Sequence, residues 1–196
     1  MKTVGITGGM GSGKSIVATV FEHLRIPVYN SDERAKALYN SSPELKAFLL
    51  DWLGPEVYPQ GIFEPGVLSK HLTQNPKDWT VINQVVHPLV AEDYTQWEEQ
   101  QRTSGKAPYV LKESALLFEL GLESTCDATL LVTAPEALRI HRVIKRSGLS
   151  DSEIRGRMAK QWPESKKREL ADYIIDNSGS ESLIHQVLKI HENLCK

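Results

Sequence analysis

The sequence is poor in cysteine, in long apolar runs and in any surplus of charge. Two cysteines in 196 residues, Cys126 and Cys195, stand far apart and form no Cys-x-x-Cys pair. That spacing argues against a disulfide framework or a zinc site, and a reducing cytoplasm is the expected setting. No segment approaches the roughly 18 uninterrupted apolar residues of a membrane span. The apolar run in MKTVGITGG is too brief for a signal-peptide core, so neither secretion nor a membrane partner is expected. Lys and Arg number 23 against 25 Asp and Glu, a net charge of -2. Such a balance provides no global basic field, and nucleic acid is not an expected partner. Internal repeats and low-complexity tracts are absent too.

Hydrophobic residues nonetheless make up 40% of the chain, enough for the core of one α/β domain with small insertions. TVGIT, IPVYN at 26–30, PYVLKESALLF, ATLLVTA and YIIDNS read as five parallel strands, each followed by polar or helical sequence. From 14 to 24, Ile16, Val17, Val20, Phe21 and Leu24 fall on one helix face. Between 37 and 107 the pattern turns to helices and turns, a helical insertion. Within it Ile82, Val85, Val86, Leu89 and Val90 recur at helical spacing, and Pro88 should kink or interrupt that helix. Residues 139–170 are rich in Arg and Lys, which suits a mobile helical flap over a charged ligand. The core is then 1–36, 108–138 and 171–196. Trp52, Trp79, Trp97 and Trp162 are spread out and are expected to pack within helices.

Gly8 to Ser15 fits G-x-x-x-x-G-K-[ST] between a strand and a helix, the context in which backbone N–H groups wrap the phosphates of a nucleotide. Gly11 and Gly13 let the backbone approach a phosphate with no Cβ in the way, and the new helix adds the positive end of its dipole. Lys14 is placed to neutralise β- and γ-phosphate oxygens and Ser15 to hold Mg²⁺. A GTPase would need an Asn-Lys-x-Asp reader after a strand. NPKD at 75–78 has its lysine misplaced and lies in the insertion, while DWLG at 51–54 sits in a helical stretch. At the end of the second strand, where such sheets open their ligand crevice, Asp32 could take the proton of an attacking hydroxyl. Equally, Asp32 or Ser31 could cap a helix. Arg142 and Arg146, four apart, share a helix face that could reach phosphate oxygens or could be a solvated salt-bridge face.

Taken in order and spacing, GITGGMGSGKS, NSDERAK, VVHPLV, ESALLFE, RVIKRSGLSDSEIRGRMAKQ and ADYIIDNSG resemble the dephospho-CoA kinases, over nearly the whole chain. The resemblance implies an α/β P-loop three-layer sandwich with a five-stranded parallel sheet, a helical acceptor-binding insertion and a helical lid. It implies transfer of the γ-phosphate of ATP, with Mg²⁺, to the ribose 3'-hydroxyl of dephospho-CoA. The nucleotide would meet Gly8, Gly9, Gly11, Ser12, Gly13, Lys14, Ser15, Ile16, Arg146 and Asn177, the last otherwise read as a turn residue. Asp32, Lys14 and Arg142 would be catalytic. Glu113 would orient magnesium through water or stand as a strand-end structural acid, and His87 would touch the acceptor or sit hydrogen-bonded in the core. Arg157 and Gln161 match the flap pattern. The chain departs from the family where Asn30 replaces the first acid of an Asp-x-Asp run and Ala115 replaces a proline. A P-loop kinase for another small alcohol or nucleoside, and a nucleotide switch without phosphotransfer, are the other two readings.

Overall fold

A computed structural model describes all of residues 1–196. The first strand, β1 (Lys2–Gly8), is buried from Thr3 onward, which is why its apolar run is continuous rather than alternating. It is followed by α1 (Lys14–His23), β2 (Val28–Asn30), α2 (Ser31–Ser41), α3 (Pro43–Leu53), α4 (Pro65–Gln74) and α5 (Trp79–Ser104). Then come β3 (Tyr109–Glu113), β4 (Ala128–Thr133), α6 (Glu136–Ser147), α7 (Asp151–Met158), α8 (Glu164–Leu170), β5 (Tyr173–Asp176) and α9 (Leu183–Leu194). All five strands are parallel, in the order β2-β3-β1-β4-β5.

Register decides where chemistry can sit. Asn30 pairs with Glu113, Ile6 with Glu113, Gly8 with Val132 and Thr133 with Asp176. The carboxyl ends of the strands therefore form one edge, the place where an open parallel sheet binds ligands. On one face of the sheet, Val17 and Phe21 of α1 and Val187 and Ile190 of α9 close over Val4, Ile6, Leu130 and Val132.

The chain divides into two compact units, residues 1–30 with 98–196, and residues 31–97. The second has its own core, in which Leu45, Leu49, Val57, Leu72, Ile82 and Val86 are buried together. Ser42 caps α3 by accepting from the Leu45 N–H, with Pro43 at the first helical position, the pairing that sequence favours at a helix start.

Four sequence expectations need correction. Pro88 does not interrupt its helix: α5 runs through it from Trp79 to Ser104. Both Pro88 and Gln84, whose carbonyl loses its helical partner, are exposed, so the freed carbonyl is not shut away from solvent as it would be in a core. Ile16 is 60% exposed and lies outside the core face, which Val17, Ala18 and Phe21 fill. Trp79 opens α5 at 53% exposure instead of packing inside. The third strand ends at Glu113; beyond it the chain turns, with only the Ser114 N–H still bonded to the Ile6 carbonyl.

Candidate active site

The turn from β1 into α1 is the centre of the site. Gly11 and Gly13 have φ of +80° and +92°, left-handed backbone that an L side chain strains. A Cβ on Gly13 would run into Asn177 Nδ2, and one on Gly11 into the Arg139 carbonyl. Gly13 caps α1 with no side-chain hydrogen bond to the helix. The first-turn N–H groups are thus not satisfied by a capping side chain, the condition for anion binding at a helix start. Beneath the loop, the hydroxyls of Thr7 and Ser12 are buried with no hydrogen-bond partner.

Three groups converge on Glu113, which is 3% exposed. Ser15 Oγ donates to its Oε1 at 3.1 Å, Lys14 Nζ stands 3.2 Å from the same oxygen, and Asn30 Nδ2 donates to Oε2 at 3.1 Å. A hard cation takes oxygen ligands, and the Ser15 hydroxyl and Glu113 carboxylate are such a pair. No group of three or more His, Cys, Asp or Glu is placed to hold a metal ion.

The loop is also held from the distant end of the chain. Asn177 Nδ2 donates to the Ser12 carbonyl at 2.8 Å, and Arg142 donates to the carbonyls of Ser12 at 3.5 Å and Asn177 at 2.9 Å. Gln161 accepts from the Met10 N–H at 2.9 Å and donates to the Ala115 carbonyl at 3.1 Å. Met10 also packs against Ile140, Val143 and Ile154, a small core of the 139–170 segment.

The sequence-derived residues are not all in one place. Gly8, Gly9, Gly11, Ser12, Gly13, Lys14, Ser15, Glu113, Arg142 and Asn177 meet at the loop and sheet edge. Arg146 and Arg157 are exposed on α6 and α7, and His87 is exposed on α5, which removes its reading as a core histidine. Asp32 is exposed in the first turn of α2, directly after β2. Ser31 does not cap: its hydroxyl is buried without a hydrogen-bond partner. Arg139 was missed by the sequence reading. It donates to the Ala134 carbonyl at 3.0 Å and flanks Gly9, and its spacing of three from Arg142 was the available clue.

One ionisable group next to the loop is displaced from its ordinary value. Partial burial works against the charged form of Asp176, yet hydrogen bonds from the Ser178 hydroxyl and N–H and from Ser180, with the charge of Arg168, hold its carboxyl below the usual value.

A parallel sheet with this order, a glycine loop on an uncapped helix, and a lysine and serine at a buried acid define a P-loop kinase. The family model for dephospho-CoA kinase matches residues 2–182. A dephospho-CoA kinase of Porphyromonas gingivalis is 37% identical over 99% of this chain and 95% of its own, and that of Bartonella quintana 36% over all of both. A crystal structure from Thermus thermophilus superposes with a TM-score of 0.83 at 35% identity, covering 100% of this chain and 98% of that one. The Acinetobacter baumannii shikimate kinase, TM-score 0.56 at 14% identity over 99% and 93%, shares the fold. The chain belongs to the dephospho-CoA kinase family, and its reaction is the ATP-dependent phosphorylation of dephospho-CoA in coenzyme A biosynthesis. No helix is long and apolar enough to cross a membrane.

Proposed function

We propose that the acceptor oxygen is the ribose 3'-hydroxyl of dephospho-CoA and that Asp32 takes its proton as it attacks the γ-phosphorus of ATP, releasing ADP and coenzyme A. The observation that carries this reading is the meeting of Lys14 and Ser15 on one oxygen of buried Glu113 at the sheet edge. A fixed positive charge there opposes the charge that develops on the transferred group. Gly8, Gly9, Gly11, Ser12, Gly13, Lys14, Ser15 and Ile16 cradle the triphosphate, and Asn177 borders the adenine. Residues 139–170 act as the lid, with Arg142 and Arg146 over the phosphates. Residues 37–107 hold the acceptor, with His87 among its contacts. Ser15 would hold Mg²⁺ directly and Glu113 through water, and the ion when bound neutralises β- and γ-phosphate oxygens. An ATP-consuming enzyme with two free thiols suits a reducing cytoplasm.

The test is ADP release from Mg-ATP with and without dephospho-CoA, with chromatography of the product, for the native protein and Asp32→Asn. Acceptor-dependent ADP and coenzyme A are expected, with a rate about 10²–10⁴-fold lower in the variant and ATP binding retained. Undiminished turnover by Asp32→Asn would remove it as the base. No coenzyme A from ATP-binding native protein would overturn the acceptor assignment.

A further inference from the structure

Glu113 is gripped at both ends of its carboxylate, by groups of two different kinds. Oε1 faces Lys14 Nζ and Ser15 Oγ, groups that the reading above turns toward phosphate and cation. Oε2 instead accepts from Asn30, the last residue of β2 and its partner in the ladder. A buried carboxylate is tolerated only while hydrogen-bonded. Once Lys14 and Ser15 engage a nucleotide, the amide of Asn30 still satisfies Glu113 from the protein side. Being neutral, that amide adds no second negative charge.

We infer that Asn30 is a positioning residue: its amide aims Glu113 at Lys14 and Ser15 and keeps the nucleotide-free site too weakly negative to hold a divalent cation, which enters together with ATP. This rests on reading Ser15 and Glu113 as the cation end of the site. It concerns what the chain does before any chemistry.

Asn30→Asp tests it by keeping the shape and exchanging the donor for a carboxylate beside Glu113. Like charges this close destabilise one another and invite a cation between them. The nucleotide-free variant should bind Mn²⁺ about tenfold or more tighter than the native protein, read from the spectrum of free Mn²⁺ by electron paramagnetic resonance. Its Tm should fall without metal and recover with Mn²⁺. The exchanged pair Asn30→Asp with Glu113→Gln restores one amide and one carboxylate, and should regain both the native Tm without metal and the weak Mn²⁺ binding. Equal Mn²⁺ affinity and Tm in Asn30→Asp and native protein would overturn the inference. So would an exchanged pair that behaves like the single variant. Neither readout needs turnover. Failure of the native protein to make coenzyme A would therefore count against the acceptor assignment, with the role of Asn30 judged separately.

Discussion

Replacing Lys167 by methionine should cost the protein a large part of its stability. Lys167 Nζ lies 2.6 Å from Glu119 Oε1, and the two side chains are only 2% and 9% exposed. No hydrogen bond of good geometry accompanies this contact at the ammonium, so the attraction is essentially between charges. Methionine keeps most of the packing of the lysine stem and leaves Glu119 buried, with the Trp162 N–H on Oε1 as its hydrogen bond and Oε2 unsatisfied. Stranding one member of a buried pair costs about 3–5 kcal/mol, against roughly 5–15 kcal/mol for a whole domain. For a chain of this size that is a fall in Tm of about 6–20 °C. Adding Glu119→Gln removes the stranded charge while keeping an acceptor for Trp162, and should return the unfolding free energy to within about 2 kcal/mol of native. Urea titrations of the three proteins, read by circular dichroism and compared at equal slope, decide the matter. A single variant within about 1 kcal/mol of native would mean that water reaches Glu119, and the buried-pair argument would fail.

Gly13→Ala places a methyl against Asn177 Nδ2 at φ +92°, and should weaken ATP binding about 5–30-fold, the equivalent of roughly 1–2 kcal/mol of backbone strain; calorimetric affinity equal to native would refute that contact. Gln161→Leu removes the acceptor of the Met10 N–H and should raise KM for ATP about fivefold, worth roughly 1 kcal/mol, so an unchanged KM would show that the loop does not need this bond. Asp176, held below its ordinary 3.8, contributes stability that is fully present above that value and is lost as pH falls through the lower folded value. The Tm gap between native protein and Asp176→Asn should therefore be constant near neutrality and narrow in acid; a gap unchanged down to about pH 3 would rule the linkage out.

Glycine spacing around Lys14 was readable because phosphate approach forbids side chains at fixed places, and buried parallel strands announce themselves as apolar runs. What escaped were choices made by tertiary contact. Arg139 and Arg146 lie three before and four after Arg142 on one helix stripe, and spacing alone does not say which end meets the loop. Arg139 does, against Gly9, while Arg146 faces water. ESKKREL lies in the Arg- and Lys-rich segment read as a flap over a charged ligand, yet Lys167 is buried because α8 packs on β4 with Glu119 beside it. Its neighbour Lys166 lies over the Trp162 ring at 3.2 Å from the centroid. Pro88, read as a kink or an interruption, lies inside one continuous helix, because a sequence does not show that Gln84 would be exposed. Asn30, read as a departure from the family pattern, proved to be the donor that holds Glu113.

The grip on the glycine loop has a thermodynamic consequence for how ATP binds. Ser12 and Met10 are tied to Arg142, Gln161 and Asn177, which lie 130, 151 and 165 residues further along the chain from their partners. Fixing a backbone residue costs about 1–2 kcal/mol, so ordering residues 9–13 demands roughly 5–10 kcal/mol. Those bonds, with the burial of Met10 against Ile140, Val143 and Ile154, place that demand on folding of the chain rather than on arrival of the nucleotide. Binding free energy from the triphosphate is then available for affinity and for charge stabilisation. By the same logic the 139–170 segment bears on the glycine loop it supports, and Gln161, bonded to the Met10 N–H and the Ala115 carbonyl, is one of its points of attachment.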